Sequence, residues 1–199
     1  MTRRFLLTAL FLSMAASAGA AAAVQDPASF IRELGSRALA VLNPDISVSL
    51  RQTRFQRLYE TDFDTPRIAR FVLGRYWWIA TPAQRRQFQK LFEKYVVFAY
   101  SARLSAYHGE TFRVTGSRSD GNGFLVESEI VHPGGQAPTR VAWRLTPKDG
   151  QFKIVDVIVE GVSMAITQRS EFASVIARNG GNVGALLDVM AQKIRKAAG

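Results

Sequence analysis

Cysteine is missing from all 199 residues. That excludes disulfides, Cys-ligated zinc, iron–sulfur centres, a thiol nucleophile and a diacyl-lipoprotein anchor. Histidine is scarce: His108 and His132 are the two present, and neither has a second His at i+3 or i+4, so no helical metal pair exists. A phosphate-cradling glycine loop and a dinucleotide fingerprint are also missing. Beyond the N-terminal stretch, no segment reaches the ~18 consecutive apolar residues of a bilayer-spanning helix. Acidic residues are outnumbered, 16 against 26 Lys and Arg, for a formal net charge of +10. Such an excess draws a protein to anionic surfaces, nucleic acid or acidic lipid, without choosing between them. What is present is a globular composition, 47% hydrophobic and 21% charged, which excludes disorder, a collagen-like fibre and a multi-span membrane protein. The length suits one ordinary domain.

The first segment reads as an address. Arg3 and Arg4 precede an apolar run from Phe5 to Met14, and Ala15 to Ala23 is almost entirely small residues. A basic start, a short apolar core and Ala-x-Ala cleavage sites describe a secretory signal peptide over residues 1–23, leaving one domain, 24–199, of about 175 residues. Both Ala18-Gly19-Ala20 and Ala21-Ala22-Ala23 fit the cleavage site. Loss of Arg3 and Arg4 lowers the formal charge only from +10 to +8, so the basic character belongs to the folded part. Export argues against a nucleic-acid partner.

Helices, then strands, then helices follow. Asp26-Pro27 is a helix start, with Phe30, Ile31, Leu34, Ala38, Val41 and Leu42 at helical spacing and Asn43-Pro44 as the stop. A second helix covers Val48 to Tyr59. Asp64 precedes a third that holds Ile68, Phe71, Val72, Tyr76 and Ile79; Gly74 inside it costs about 1 kcal/mol against Ala, which implies close backbone contact with a neighbour. Thr81-Pro82-Ala83-Gln84 is a capping box with Pro at the first helical position. It opens a long helix to about Tyr107, its stripe formed by Phe88, Leu91, Phe92, Tyr95, Val96, Ala99 and Leu104. The period then becomes 2. Phe112 and Val114, then Phe124 to Ile130, Val141 to Leu145 and Phe152 to Ile158 alternate with their neighbours, separated by turns at Asp120–Gly123, Pro133–Gly135 and Pro147–Gly150. Short turns make this an antiparallel meander that needs a helical cover. Val162, Ile166, Phe172 and Ile176 form the next helical stripe, and Asn182 caps a last helix with Val183, Leu186, Leu187, Met190 and Ile194 inward. The fold class is α+β: a four-stranded antiparallel sheet covered by about six helices.

Chemistry-bearing residues are few. His108 at a helix end and His132 at a strand end read as structural. Gly161-Val162-Ser163-Met164-Ala165 falls one residue short of a nucleophile elbow. No His follows Ser163, and the elbow belongs to a parallel sheet, so Ser163 reads as a helix N-cap. Asp62 and Asp64 lack a second half of an acid–base site and read as caps of the third helix. Arg169 falls on the stripe between Ile166 and Phe172. A charge there needs a partner: Asp156 or Asp64, or, on a functional reading, a ligand phosphate at a cavity mouth. Tyr95 to Tyr100 is apolar around the whole helix circumference, which suits either a buried core helix or the wall of an apolar cavity.

Several separated motifs carry a resemblance. Val72-Leu73-Gly74-Arg75-Tyr76-Trp77, Ala80-Thr81-Pro82-Ala83-Gln84-Arg85-Arg86, Tyr107-His108-Gly109-Glu110, and Val159-Glu160-Gly161-Val162-Ser163-Met164 with Gln168-Arg169 and Phe172 resemble the MlaC family over essentially the whole mature chain. These are periplasmic phospholipid-binding components of a lipid-transport system, also called toluene-tolerance proteins. The resemblance implies a monomeric carrier without cofactor, metal or catalysis. It would move glycerophospholipid between an outer-membrane lipoprotein complex and an inner-membrane ABC transporter with its substrate-binding subunit, and so serve outer-membrane lipid asymmetry. A hopanoid-associated branch is the alternative cargo class. An exported enzyme and a non-lipid periplasmic adaptor are the readings from other classes. On the carrier reading the apolar cavity lies between sheet and helices. Its expected wall is Val72, Tyr76, Phe92, Tyr95, Val96, Ala99, Val141, Trp143, Ile154 and Met164, with Arg169 for the phosphate. Arg85, Arg86, Lys90 and Lys94 form a basic face for docking.

Overall fold

The computed structural model describes residues 26–41, 46–104 and 109–198, and for 101–104 and 197–198 the backbone alone. The expected signal peptide, Leu42, Asn43-Pro44, Tyr107 and His108 lie outside the described residues. Five helices come first: α1 (Pro27–Val41), α2 (Val48–Asp62), α3 (Thr65–Leu73), α4 (Tyr76–Ile79) and α5 (Pro82–Leu104). A meander of β1 (Thr111–Asp120), β2 (Gly123–Val131), β3 (Thr139–Lys148) and β4 (Gln151–Val159) follows. The chain closes with β5 (Val162–Ser163), α6 (Met164–Arg178) and α7 (Val183–Ala198). The sheet runs β1-β2-β3-β4-β5, antiparallel throughout.

The α+β expectation therefore holds, with a fifth, two-residue strand added. Val162 belongs to that strand and is exposed, as is Ile166; neither joins the buried face of α6, which is Ala165, Phe172 and Ile176. The expected third helix is two. Gly74, at φ 57 and ψ −132, ends α3, a backbone that glycine adopts without a Cβ clash, and α4 starts afresh at Tyr76. Local capping follows the sequence closely. The Asp26 carboxylate accepts from the Ser29 N–H at 2.9 Å. Thr81 and Gln84 exchange both capping-box bonds, at 3.0 and 3.2 Å. Ser163 Oγ accepts from the Ile166 N–H at 3.1 Å, and Asn182 Oδ1 accepts from the Gly184 N–H at 2.8 Å. Asp64 caps α3 as expected, whereas Asp62 is the last residue of α2 and pairs with Arg37 at 2.9 Å.

Two one-residue bulges bend the sheet. The register steps between Val114 and Gly116 in β1, and opposite Arg144/Leu145 in β4, where Asp156 and Ile154 are successive partners. Each bulge inverts the alternation beyond it. The expected face Phe152, Ile154, Asp156, Ile158 therefore breaks after Ile154: Val157 takes the inner side opposite Trp143, and Ile158 lies opposite Ala142 on the outer side.

The helices form a layer of their own and also cover the inner sheet face. Helix α5 packs on α7, α2 and α3, and α6 packs on α3 and α7. Helix α1 lies on β1 and β2, while α2, α3 and α6 reach β4. Gly35 makes the closest of these approaches possible, because a Cβ there would collide with the Phe112 ring. Two apolar clusters result. One is built almost wholly from helices and runs from Ile68 in α3 to Met190 in α7. The other joins Phe30, Ile31 and Leu34 of α1 and Leu58 of α2 to Val126, Leu145, Phe152 and Ile154 of the sheet.

Candidate functional site

The expected wall residues fall on both sides of the seam between these clusters. On the helical side, Val72, Tyr76 and Phe92 are buried, and Tyr95 and Val96 are partly buried against them. Ala99 continues that line, half-buried, one turn along α5. On the sheet side, Ile154 is fully buried and Trp143 partly buried in the sheet cluster. Val141 is buried on the same face of β3, two residues from Trp143. Met164 opens α6 half-buried.

Phe63, which the helical period does not mark, packs against both clusters. It stands between α2 and α3, lies tilted against the Tyr59 ring at 4.9 Å between centroids, and makes a parallel bridge to Ile154. Phe112, Val114, Phe124 and Val157 complete the partly buried inner sheet face. The first three were legible as alternating residues, whereas the bulge hid Val157.

One buried polar group of the inner sheet face is matched twice. Ser128, 2% exposed, donates through Oγ to the Val141 carbonyl and accepts from the Trp143 indole N–H, each at 2.9 Å. That arrangement fixes the Trp143 ring on the inner face without leaving a buried hydroxyl unpaired. At the α2–α5 side, burial first, then a hydrogen bond to and repulsion from Glu60, push the Glu93 carboxyl up from its ordinary pKa. Burial, then the nearby Glu93 charge, pushes the Tyr59 phenol up as well.

Arg169 takes neither carboxylate expected for it. Asp156 accepts from Arg144 at 3.3 Å, Ser163 Oγ at 2.6 Å and the Ala165 N–H at 3.1 Å; Asp64 pairs with Lys148 at 3.1 Å. Arg169 is exposed, its guanidinium 5.2 Å from the Phe71 ring centroid. It lies so close to Gly74 that a Cβ there would stand 2.8 Å from Nε. The contact implied by Gly74 is therefore with this side chain. Periodicity puts Arg169 on the α6 face that packs on α3, and the missing side chain of Gly74 lets its stem run outward to water.

The basic face also divides. Arg86, Lys90 and Lys94 are exposed. Arg85 is occupied: its Nε and Nη2 donate to the Trp77 and Trp78 carbonyls at 2.7 and 3.2 Å, tying α4 to α5.

The outer sheet face has different chemistry. A concavity of about 460 Å³ is lined by Thr115, Glu127, Glu129, Arg140, Ala142, Ile158, Glu160 and Gly161, and also by Ser128 and the expected wall residue Val141. Its charges are paired: Arg113 with Glu129 at 2.6 Å and Arg140 with Glu160 at 3.2 Å. The Arg140 backbone N–H and guanidinium hold the Glu160 carboxyl below its usual range. His132 sits at the strand end within 2.9 Å of Thr139 Oγ1. Among the described residues, no group of three or more His, Asp and Glu could hold a metal.

A model of the MlaC protein family matches residues 34–192. The toluene tolerance protein ttg2D of Pseudomonas putida is 29% identical over 119 residues, 59% of this chain and 55% of that protein. The intermembrane phospholipid transport system binding protein MlaC of Haemophilus influenzae is 24% identical over 131 residues, 64% of this chain and 58% of that protein. The chain thus matches between half and two thirds of the length of these curated relatives. Among solved structures, the phospholipid-binding protein of Ralstonia solanacearum, in complex with a phospholipid, superposes with a TM-score of 0.76 at 22% identity. That match covers 88% of this chain and 100% of that one. With a family model spanning most of the sequence and the same helix-covered sheet in a solved structure, the chain belongs to the MlaC family.

Proposed function

We propose that this protein is a periplasmic lipid carrier. It holds the acyl chains of a glycerophospholipid in the seam between the helical cluster and the sheet cluster, and passes the lipid between outer-membrane and inner-membrane transport complexes. The observation that carries this reading is the seam itself. Val96 packs against the helical cluster and Phe112, Val114, Trp143 and Val157 against the sheet cluster, yet all five are only partly buried. Hydrocarbon between the layers would complete their burial. A diacyl lipid has on the order of 30 methylenes, at about 0.8 kcal/mol each. Release into water therefore costs roughly 20 kcal/mol or more on that scale. Both chains must stay covered until direct transfer to a partner, and no hydrolytic group is needed.

Val72, Tyr76, Phe92, Tyr95, Val96 and Ala99 form the helical wall of the pocket in this reading, and Val141, Trp143 and Ile154 the sheet wall. Met164 lies at the α6 end. Arg169, exposed and without an ion-pair partner among the described residues, supplies the cation for the phosphate. Arg86, Lys90 and Lys94 face acidic partners. A signal peptide over residues 1–23 delivers the chain, as a monomer, to the periplasm.

Native mass spectrometry of the exported protein, with lipid extraction of the same sample, tests the proposal. A mass increment equal to one diacyl phospholipid supports it, a hopanoid moves it to the sister branch, and a clean apo mass with no uptake from anionic vesicles sinks it. Val96→Trp or Ala99→Trp is expected to lower co-purified lipid severalfold in a folded protein. Unchanged lipid content would remove those residues from the wall.

A further inference from the structure

A second apolar surface lies outside the seam. Phe71 is 41% exposed, Trp78 68%, Ile79 65% and Ile166 56%. Phe71 belongs to α3, Trp78 and Ile79 to α4, and Ile166 to α6. Helices α3 and α6 pack together. Arg169 reaches from the Ile166 side of α6 over the Phe71 ring, and Arg70, beside Phe71, lies 4.7 Å over Trp78.

The surroundings are cationic. Arg70, Arg75 and Arg169 make no ion pair with a carboxylate among the described residues. Two of these guanidiniums lie over the exposed aromatic rings. Arg75 donates to the Tyr76 hydroxyl at 2.9 Å. The exposed pair Trp78–Ile79 is also held in place. Helix α4 is a single turn, and the Arg85 guanidinium binds the carbonyls of Trp77 and Trp78. The backbone beneath the two side chains is thus tied to the 23-residue helix α5.

We infer that this face is a membrane-contact surface, with Trp78 and Ile79 entering the headgroup–acyl boundary of an anionic bilayer and Arg70, Arg75 and Arg169 meeting its phosphates. Three features favour a bilayer as the occupant. An indole at the rim of an apolar patch fits the mixed polarity of a membrane interface. Unpaired arginines around that patch match an anionic headgroup layer. The formal charge, +8 once Arg3 and Arg4 leave with residues 1–23, adds long-range attraction of the same sign. The inference concerns the exterior; it shares Arg169 with the carrier reading and otherwise stands apart from what the interior holds.

The test is flotation of the exported protein with phosphatidylcholine vesicles, with and without phosphatidylglycerol, at low salt. The wild-type protein is expected to float with the anionic vesicles and to be released by salt. Trp78→Ser with Ile79→Ser is expected to lower the bound fraction roughly tenfold while leaving circular dichroism and co-purified lipid unchanged. Should that double variant fail to fold, quenching of tryptophan emission by brominated lipid in floated complexes decides instead: Trp78→Phe should remove most of it. Wild-type protein that stays in the soluble fraction overturns the proposal, even if it takes up vesicle lipid, an outcome that supports carriage on its own. Flotation or quenching that is indifferent to Trp78 overturns it as well.

Discussion

The helical cluster and the sheet cluster differ in how completely they close. Among the described residues, fifteen are buried and seven partly buried in the first, against eight and seven in the second. The helical cluster is therefore the better sealed. Its centre is a knot of rings: Phe172 stands edge-on to Phe88, Phe92 and Tyr95, with centroids 5.7, 6.1 and 5.9 Å away. Such contacts add to area burial and fix side-chain geometry. The sheet cluster rests on a surface with two bulges, and rings such as Phe112 and Trp143 on it stay partly uncovered. One half of the molecule holds its shape through its own packing, while the other keeps apolar surface that its own chain does not finish covering. That division suits a container.

The contrast can be broken by mutation. Phe88, 0% exposed, lies where no relaxation is easy. Phe88→Ala should cost about 3–5 kcal/mol in urea-denaturation stability. Phe124→Ala in the partly buried sheet face should cost less than half as much. Equal losses would show the two clusters to be equally closed. A smaller effect is expected where the helical layer meets Arg169. Gly74→Ala forces a Cβ onto a positive φ and against the guanidinium, for about 1–3 kcal/mol. The same substitution should also change the salt sensitivity of vesicle binding, since Arg169 must move. Gly74→Ala protein with wild-type stability would mean that α3 simply continues as a helix through this point.

The smallest effect sharpens the comparison at the α2–α5 contact. The Glu93 pKa is raised in the folded protein, by burial and by Glu60. The folded state therefore holds this proton more tightly than the unfolded chain does. Stability from this group is complete below the ordinary glutamate pKa and is lost as pH rises through the raised value. Glu93→Gln should stabilise the protein at neutral pH by only about 0.5 kcal/mol, because the site is largely open to solvent screening, and the gain should vanish in acid. Thermal melts across that range measure it. A gain that persists in acid would point to helix propensity, not charge.

Local chemistry was legible where a residue acts on its neighbours in sequence. The Thr81–Gln84 capping box, the Ser163 and Asn182 caps, the turns of the meander and the inward residues of α7 all depend on contacts within a few positions. The α+β class follows from the change of period between 3.6 and 2. The MlaC resemblance rests on motifs scattered along the whole chain, which the family match bears out.

Other features were decided only when distant elements met. Gly74 reads as an interruption in a single helix until α6 brings Arg169 against it. The inner face of β4 is set by where β3 pairs with it, so Val157 replaced Asp156 at one bulge. Phe63 has no periodic signature, yet it joins both clusters because α2 ends against β4. Arg169 shows the limit most plainly. Its spacing told which face of α6 it occupies. That the nearby carboxylates were already taken by Arg144 and Lys148 depended on side chains brought together from separate strands and helices. Periodicity assigns a direction to each side chain, and only packing supplies what lies in that direction.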